Sequence, residues 1–194
     1  MKLILASASP RRQKILEDLG IPFEIKISNV PEELNLALPP YELVETLARL
    51  KAANVAKEMK EGLIIGADTI VVLDEKILGK PTSEADAKKM LHSLSGREHL
   101  VFSGLAIVDG KSGKQQLAHE ITRVYFKQLT EAEIESYISS GESFDKAGAY
   151  GIQGKGGLFV ERIDGCYFNV VGLPIHLLYL LLKSMGTDLL NVTY

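Results

Sequence analysis

The apolar run Leu63–Leu73 constrains the fold of this chain more than any other segment. It is rich in isoleucine and valine, whose branched side chains favour extended backbone. We therefore predict that it forms a central strand of a β-sheet. A single acid, Asp68, interrupts the run, and burying a carboxylate in such a place is costly unless the protein uses it.

The remaining segments mix predicted strands and helices without strict alternation. Strands are predicted over 2–6, 22–28, 98–108, 116–128 and 158–171, and helices over 10–20, 40–60, 84–94, 131–141 and 174–186. This order favours a mixed α/β fold, a mixed sheet with flanking helices, over a doubly wound parallel sheet. Hydrophobic residues make up 46% of the 194 residues, which is enough for a single domain spanning 1–194.

Composition excludes several classes of protein. The net charge of −3 argues against nucleic acid as a partner, so a polyanion contact should be local, such as a small phosphate ligand. The single cysteine, Cys166, excludes an intramolecular disulfide and a cysteine zinc cluster. The first residues lack the apolar core of a signal peptide, and no apolar run is long enough to span a membrane. We expect a cytoplasmic protein without a membrane partner.

The first candidate site is Ser7-Ala8-Ser9-Pro10-Arg11-Arg12, where a predicted strand leads into a helix. Ser9 suits the N-cap and Pro10 the first helical position. Free N–H groups at a helix start attract anions, and arginine binds phosphate through paired hydrogen bonds. A phosphate site and an N-cap followed by solvated arginines both fit this pattern. Cations in a first helical turn oppose the helix dipole, which favours a ligand that needs them.

Two further candidates are single charged residues in apolar settings. Lys51 falls on the apolar stripe of the 40–60 helix, so its ammonium must either reach solvent or meet an anion. Asp68 directly follows the apolar stretch 63–67, with the hydroxyl of Thr69 beside it. Active sites of α/β proteins often gather at strand ends, although such an acid can also cap a turn.

Three loops complete the candidate set. Gly79-Lys80-Pro81-Thr82 lacks the glycine spacing of a Walker motif but offers Lys80. The glycine-rich segment 145–154 allows close backbone approach to a ligand, and the Gln153 amide can read a base edge. Glu32 and Glu33 are adjacent loop acids, usually solvated but suited to Mg²⁺. The four histidines show no ligand spacing, so we expect them to be structural.

The order of these segments resembles the Maf family of nucleotide pyrophosphatases, and the resemblance spans nearly the whole chain. It is carried by Ser7-Ala8-Ser9-Pro10-Arg11-Arg12, Leu47-Ala48-Arg49 with Lys51-Ala52, Gly66-Ala67-Asp68-Thr69, Gly79-Lys80-Pro81, Leu94-Ser95-Gly96, Asp145-Lys146-Ala147-Gly148-Ala149-Tyr150-Gly151-Ile152-Gln153-Gly154 and Val171-Gly172-Leu173-Pro174. The first and the glycine-rich motifs are the most specific. The resemblance implies a two-lobed α/β fold like that of inosine triphosphate pyrophosphatases, with one cleft between the lobes.

The resemblance also implies an activity and a set of site residues. The family hydrolyses nucleoside triphosphates at the α–β phosphate bond, with a divalent cation such as Mg²⁺ or Mn²⁺. Asp68 would be the general base and, with Glu33, a metal ligand, while Glu32 competes with Glu33 for that role. The phosphate ligands would be Ser7, Ser9, Arg12, Lys51 and Lys80, and Arg11, Thr69 and Gln153 match positions tied to base choice in the branch that prefers dTTP and UTP.

Two alternatives to a dTTP/UTP pyrophosphatase stay open. One is the branch of the same family that prefers 7-methyl-GTP, and the other is a nucleotide-binding regulator of cell division without turnover. The resemblance implies removal of non-canonical pyrimidine nucleotides as the task of the dTTP/UTP branch, and it also links the family to septum formation. The sequence leaves the metal, the physiological substrate and the oligomeric state open, a homodimer included.

Overall fold

The computed structural model describes residues 2–31 and 37–191 of the chain. Within these ranges the strands are β1 Leu3–Leu5, β2 Glu24–Ile25, β3 Leu63–Leu73, β4 Lys76–Leu78, β5 Glu98–Asp109, β6 Gln115–Phe126 and β7 Val160–Asp164. The α-helices are α1 Pro10–Asp18, α2 Pro40–Ala56, α3 Glu84–Leu94, α4 Glu131–Ser139, α5 Tyr167–Val171 and α6 Ile175–Ser184. Short 3₁₀ turns cover Ala147–Ala149, Gly154–Phe159 and Leu189–Asn191.

The strands form one mixed sheet, as the sequence predicts. Its order is β2-β1-β3-β5-β6-β7, and β4 pairs with β3. β1 runs parallel to both β2 and β3, whereas β3–β4 and β6–β7 are antiparallel pairs. β3 is therefore an interior strand, which explains why its run is apolar on both faces.

The chain divides into two compact units. Unit 1 comprises Met1–Asp68, Ser103–Glu120 and Gly172–Tyr194, and unit 2 comprises Thr69–Phe102 and Ile121–Val171. In unit 1, a core of buried residues joins α2 to β1, β3 and β5. In unit 2, α3 and α4 pack with strand residues and a group of aromatic rings. The expectation of one domain with two lobes stays a prediction.

Helix starts follow the sequence closely. Ser9 is the N-cap of α1 with Pro10 at its first position. The side chain of Ser83 caps α3 by accepting a hydrogen bond from the Asp86 amide. Thr130 and Glu133 form a reciprocal capping box at the start of α4. These starts were predictable because each cap involves residues within one helical turn.

The segment 158–171, expected to form strands only, is the main correction. β7 covers only Val160–Asp164 and is followed by α5. Gly165 has a φ of 128°, and the Thr122 hydroxyl of β6 accepts from the Cys166 amide and donates to the Cys166 carbonyl. The buried Asn169 amide donates to the same hydroxyl and to the Val101 carbonyl. These contacts turn the chain away from the sheet after five strand residues.

Two other elements are shorter than expected. The predicted strand 22–28 is reduced to β2, which pairs with β1 at only two positions. The predicted helix 40–60 ends at Ala56, after which Glu58 and Met59 make turn hydrogen bonds to residues three positions earlier. Across the described part of the chain, none of the helices combines the length and apolarity needed to cross a membrane.

Candidate active site

The β1–α1 junction is an ordered loop of unit 1. The Ser9 amide donates to Oγ of Ser7 (3.2 Å), while the Ser9 side chain makes no capping bond to the helix. The N-terminal turn of α1 therefore keeps amide groups that its N-cap does not use. Ser7 is 7% exposed, so its hydroxyl is held inside the loop.

Arg12 is a buried side chain that binds two parts of the same unit. Its Nε donates to the Gly172 carbonyl (2.8 Å), and its Nη1 donates to Oγ of Ser7 (3.2 Å). Only 9% of Arg12 is exposed, so the interpretation of a solvated arginine is wrong at this position. Arg11, the next residue toward the N-terminus, is partly exposed and makes contacts of its own. The guanidinium is thus a fixed positive charge beside a helix start, which suits an anion.

Lys51 and Asp68 form an ion pair within unit 1. The Lys51 ammonium lies 2.6 Å from Oδ1 of Asp68. The two side chains are only 12% and 14% exposed, so Lys51 meets an anion and does not extend to solvent. An ammonium has three donors, so its hydrogen bond to Asp68 is compatible with a further bond to a phosphate oxygen.

Two glycines explain why α2 brings Lys51 so close to Asp68. A Cβ at Gly66 would lie 2.1 Å from the Ala48 carbonyl oxygen, and one at Gly104 would lie 2.3 Å from Val44 backbone atoms. Only the absence of a side chain allows the α2 backbone to rest directly on β3 and β5. The glycine of the Gly66-Ala67-Asp68-Thr69 motif therefore sets the distance between helix and strand.

Strand register relates the end of β1 to Asp68 in β3. Leu5 pairs with Ile65, and the Ala6 amide donates to the Ile65 carbonyl (2.8 Å). The pairing with β3 ends there, so Ser7 begins the loop two residues after the last paired residue of β1. Asp68 does not lie at the end of its own strand, because β3 continues to Leu73. The parallel neighbour β1 ends at Leu5, opposite Ile65 and three positions before the level of Asp68.

Thr69, Lys80 and Gln153 belong to unit 2. Thr69 is partly exposed within β3, and Lys80 is exposed in the loop after β4; both make contacts within the protein. Gln153 is exposed and precedes the 3₁₀ turn Gly154–Phe159. The Gly148 amide donates to the Gly79 carbonyl (3.0 Å), which joins the Lys80 loop to the glycine-rich loop.

A buried pair beneath the glycine-rich loop was not predicted as part of the site. His99 Nε2 and the Tyr150 hydroxyl share a hydrogen bond of 2.7 Å, and the two residues are 2% and 5% exposed. Burial lowers the pKa of His99 to about 4 and raises the pKa of the Tyr150 phenol. His99 is thus neutral near pH 7, in line with the expectation of a structural histidine. Sequence alone gives no signal for the pairing, because the partners are 51 positions apart.

A cavity of about 280 Å³ lies elsewhere in unit 2. Its lining includes Lys127, Glu133, Tyr137, Leu158 and Phe159, and none of the predicted site residues is among the lining residues of this cavity. Lys127 and Glu133 are already paired with each other at 2.6 Å. We therefore assign the cavity no part in the chemistry of Asp68.

Of the predicted metal ligands, the structure describes Asp68. Glu33, with its competitor Glu32, lies outside the described residues. Over residues 2–31 and 37–191 no group of three or more His, Cys, Asp or Glu side chains could hold a metal ion. Asp68 still fits a hard cation by its donor type, a carboxylate, one oxygen of which accepts from Lys51. Mg²⁺ typically binds proteins through one or two carboxylates together with substrate phosphates.

Comparison with known proteins identifies the family. Residues 2–185 match the family described as Maf-like protein. A protein of Desulforamulus reducens named dTTP/UTP pyrophosphatase is 50% identical over 187 residues, 96% of this chain and 98% of the relative. One of the same name from Syntrophomonas wolfei is 54% identical over 191 residues, 96% of this chain and 99% of the relative. The solved Staphylococcus aureus Ham1 protein is similar with a TM-score of 0.48 and 12% identity, over 65% of this chain and 72% of that one. On a match that covers nearly its whole length, the chain belongs to the Maf family.

Proposed function

We propose that this protein hydrolyses nucleoside triphosphates to the monophosphate and pyrophosphate, with dTTP and UTP as preferred substrates. The observation that carries the proposal is the Lys51–Asp68 pair, a nearly buried carboxylate fixed by a nearly buried ammonium. The names of relatives that are about half identical to this chain over nearly its whole length support the same activity.

In the proposed reaction a water molecule attacks the α-phosphorus, and the bond from that phosphorus to the α–β bridging oxygen breaks. Pyrophosphate leaves, and Asp68 takes the proton of the attacking water. The Lys51 ammonium holds Oδ1 of Asp68 in place, so Oδ2 is the oxygen left for the proton. Phosphoryl transfer needs mostly charge neutralisation and a positioned water, with little covalent chemistry from the protein.

The phosphate ligands proposed from the sequence divide between the units. In unit 1, Ser7 and Ser9 would bind through the β1–α1 loop, Arg12 through its fixed guanidinium, and Lys51 through its ammonium beside Asp68. In unit 2, Lys80 would add a further positive charge. These cations would offset the negative charge of the triphosphate. Salt screens buried cations less than exposed ones.

The proposed cofactor is a divalent cation, Mg²⁺ or Mn²⁺, held by Asp68 and Glu33. When bound, such an ion neutralises phosphate charge and favours departure of the pyrophosphate. Asp68 supports this assignment by its donor type, because carboxylate oxygens are ligands that Mg²⁺ prefers. The role of Glu33 against Glu32 stays a proposal.

Base choice is assigned to Arg11, Thr69 and Gln153. The Gln153 amide both donates and accepts, which matches the O4 and N3–H edge of thymine or uracil. We propose that the enzyme acts in the cytoplasm, where it would remove non-canonical pyrimidine nucleotides before polymerases use them. A homodimer and a role in septum formation stay predictions.

The test is a panel of triphosphates with Mg²⁺ or Mn²⁺, with pyrophosphate and orthophosphate measured separately. We expect pyrophosphate and no orthophosphate, with kcat/KM for dTTP and UTP at least about tenfold above that for CTP and GTP. A preference for 7-methyl-GTP would replace the dTTP/UTP assignment. Binding of dTTP without turnover, with either metal, would contradict the enzyme and favour a regulator.

A further inference from the structure

The glycine-rich loop of unit 2 is tied down on both sides of Gln153. The Gly151 amide donates to the Tyr137 hydroxyl (3.2 Å), and the Lys155 amide donates to Oε2 of Glu142 (3.1 Å). Lys146 Nζ donates to the Glu142 carbonyl (2.6 Å) at the start of the loop. An exposed glutamine between such anchors is displayed from fixed backbone, not from a mobile loop.

The backbone before Gln153 adopts conformations that side chains disfavour. Gly148 and Ala149 have φ values of 69° and 59°, and Ala149 is fully buried. A left-handed alanine persists only where its surroundings impose it. Tyr150 follows directly, and its ring packs edge-on against Phe126 at 4.6 Å and His99 at 5.3 Å. The Tyr150 ring is therefore a candidate for what imposes this backbone.

The His99–Tyr150 hydrogen bond lies within this aromatic group, where apolar residues alone would be expected to give a more stable core. His99 and Tyr150 bury polar atoms, and His99 Nδ1 is buried with no hydrogen-bond partner among the described residues. Apolar residues of similar volume would fill the same space without a buried polar atom lacking a partner. What the His99–Tyr150 hydrogen bond adds is direction. It fixes the position of the Tyr150 ring and of the backbone that carries it.

We propose that Tyr150, held by His99, is a positioning residue that sets the backbone presenting Gln153 and thereby the base selectivity of the enzyme. This inference rests on the proposed function, because it assumes that Gln153 reads the base. Tyr150 acts three residues away through the chain and does not itself touch the substrate. Its loss therefore affects recognition of the base and leaves the attack at phosphorus in place.

The test is Tyr150→Phe, which keeps the ring and removes only the hydroxyl. We expect kcat/KM for dTTP to fall about tenfold, mostly through KM, while CTP changes little, so that the dTTP-to-CTP ratio narrows. Tyr179→Phe is the matched control, because Tyr179 is a partly exposed tyrosine of α6 whose hydroxyl accepts from Lys183. The control should keep the wild-type ratio.

A second variant checks that the two residues act together. His99→Phe should narrow the ratio as Tyr150→Phe does, and the double variant should be no worse than either single one. If the wild type prefers dTTP to CTP and Tyr150→Phe keeps the same ratio of kcat/KM values, Tyr150 is not a positioning residue. A wild type that shows no base preference would instead refute the proposed substrate, so the two failures are distinguishable.

Discussion

Replacing Asp68 with asparagine tests the proposed general base with almost no change in shape. The amide cannot take a proton from the attacking water, and general-base help contributes about 10²–10⁴-fold to rate. We expect kcat to fall by that factor, which corresponds to about 3–5 kcal/mol of barrier. The assay is pyrophosphate release from saturating dTTP with Mg²⁺.

The same substitution should also lower stability, because the Lys51 ammonium would face a neutral amide while only 12% exposed. The asparagine oxygen can still accept from Lys51, but the buried ammonium loses its counter-charge, at a cost of about 1–3 kcal/mol. For a chain of this size that corresponds to a decrease of about 2–12 °C in Tm. Adding Lys51→Leu to Asp68→Asn should recover much of the lost Tm without restoring activity, because it removes the charge left without a partner.

The control is Asp74→Asn, six positions further along the chain. Asp74 sits in an exposed turn and pairs with Arg97 at 2.6 Å, and the guanidinium lowers the pKa of the Asp74 carboxyl. Its φ of 48° is one that asparagine adopts readily. This variant should keep wild-type kcat. If folded Asp68→Asn retains more than about a tenth of wild-type kcat, Asp68 is not the base.

Three further outcomes are expected. Lys51→Leu should lower kcat/KM for dTTP at least about tenfold, and unchanged kinetics would show that Lys51 has no role in binding phosphate or holding Asp68. Gln153→Glu should reduce dTTP and UTP hydrolysis by about one to two orders of magnitude while other triphosphates are spared; equal losses for all bases would contradict base reading. The third concerns pH. The pKa of His99 is about 4 in the fold and about 6.5 when unfolded, so the unfolded state binds the proton first as pH falls. The free energy of unfolding is therefore unaffected by protonation of His99 above pH 6.5 and decreases as pH falls toward 4, by up to about 3 kcal/mol. Urea titrations give the free energy of unfolding at pH 7 and pH 4.5. The decrease between the two should be smaller in His99→Gln than in the wild type, and equal decreases would contradict a buried neutral His99.

Local patterns in the sequence predicted the elements that depend on local interactions. β3 has the predicted bounds because its branched apolar run is continuous, and α4 begins where Thr130 and Glu133 cap each other. The end of β7 could not be predicted, because it depends on the Thr122 hydroxyl 44 positions from Cys166. Helical periodicity predicted that Lys51 lies on the inward face of α2. It could not predict that Asp68 is the anion that Lys51 meets.

The candidate site shows the same division. The residues of unit 1 that were chosen for their chemistry do meet, as Ser7 with Arg12 and Lys51 with Asp68. The partner that fixes Arg12 is a backbone carbonyl 160 positions away, and a carbonyl carries no signal in its residue type. The importance of Gly66 likewise depends on the helix that packs against it, which a single strand pattern does not reveal.

The discontinuous make-up of unit 1 has a consequence for the order in which the protein matures on the ribosome. Unit 2 has all its residues once position 171 has been synthesised, whereas unit 1 still lacks its third segment. The contacts within the glycine-rich loop can therefore form while Arg12 still lacks the Gly172 carbonyl. A nascent chain that stops before Gly172 lacks the carbonyl that fixes Arg12, while every residue of unit 2 is already present. This order predicts that unit 1 completes its packing after unit 2 during synthesis.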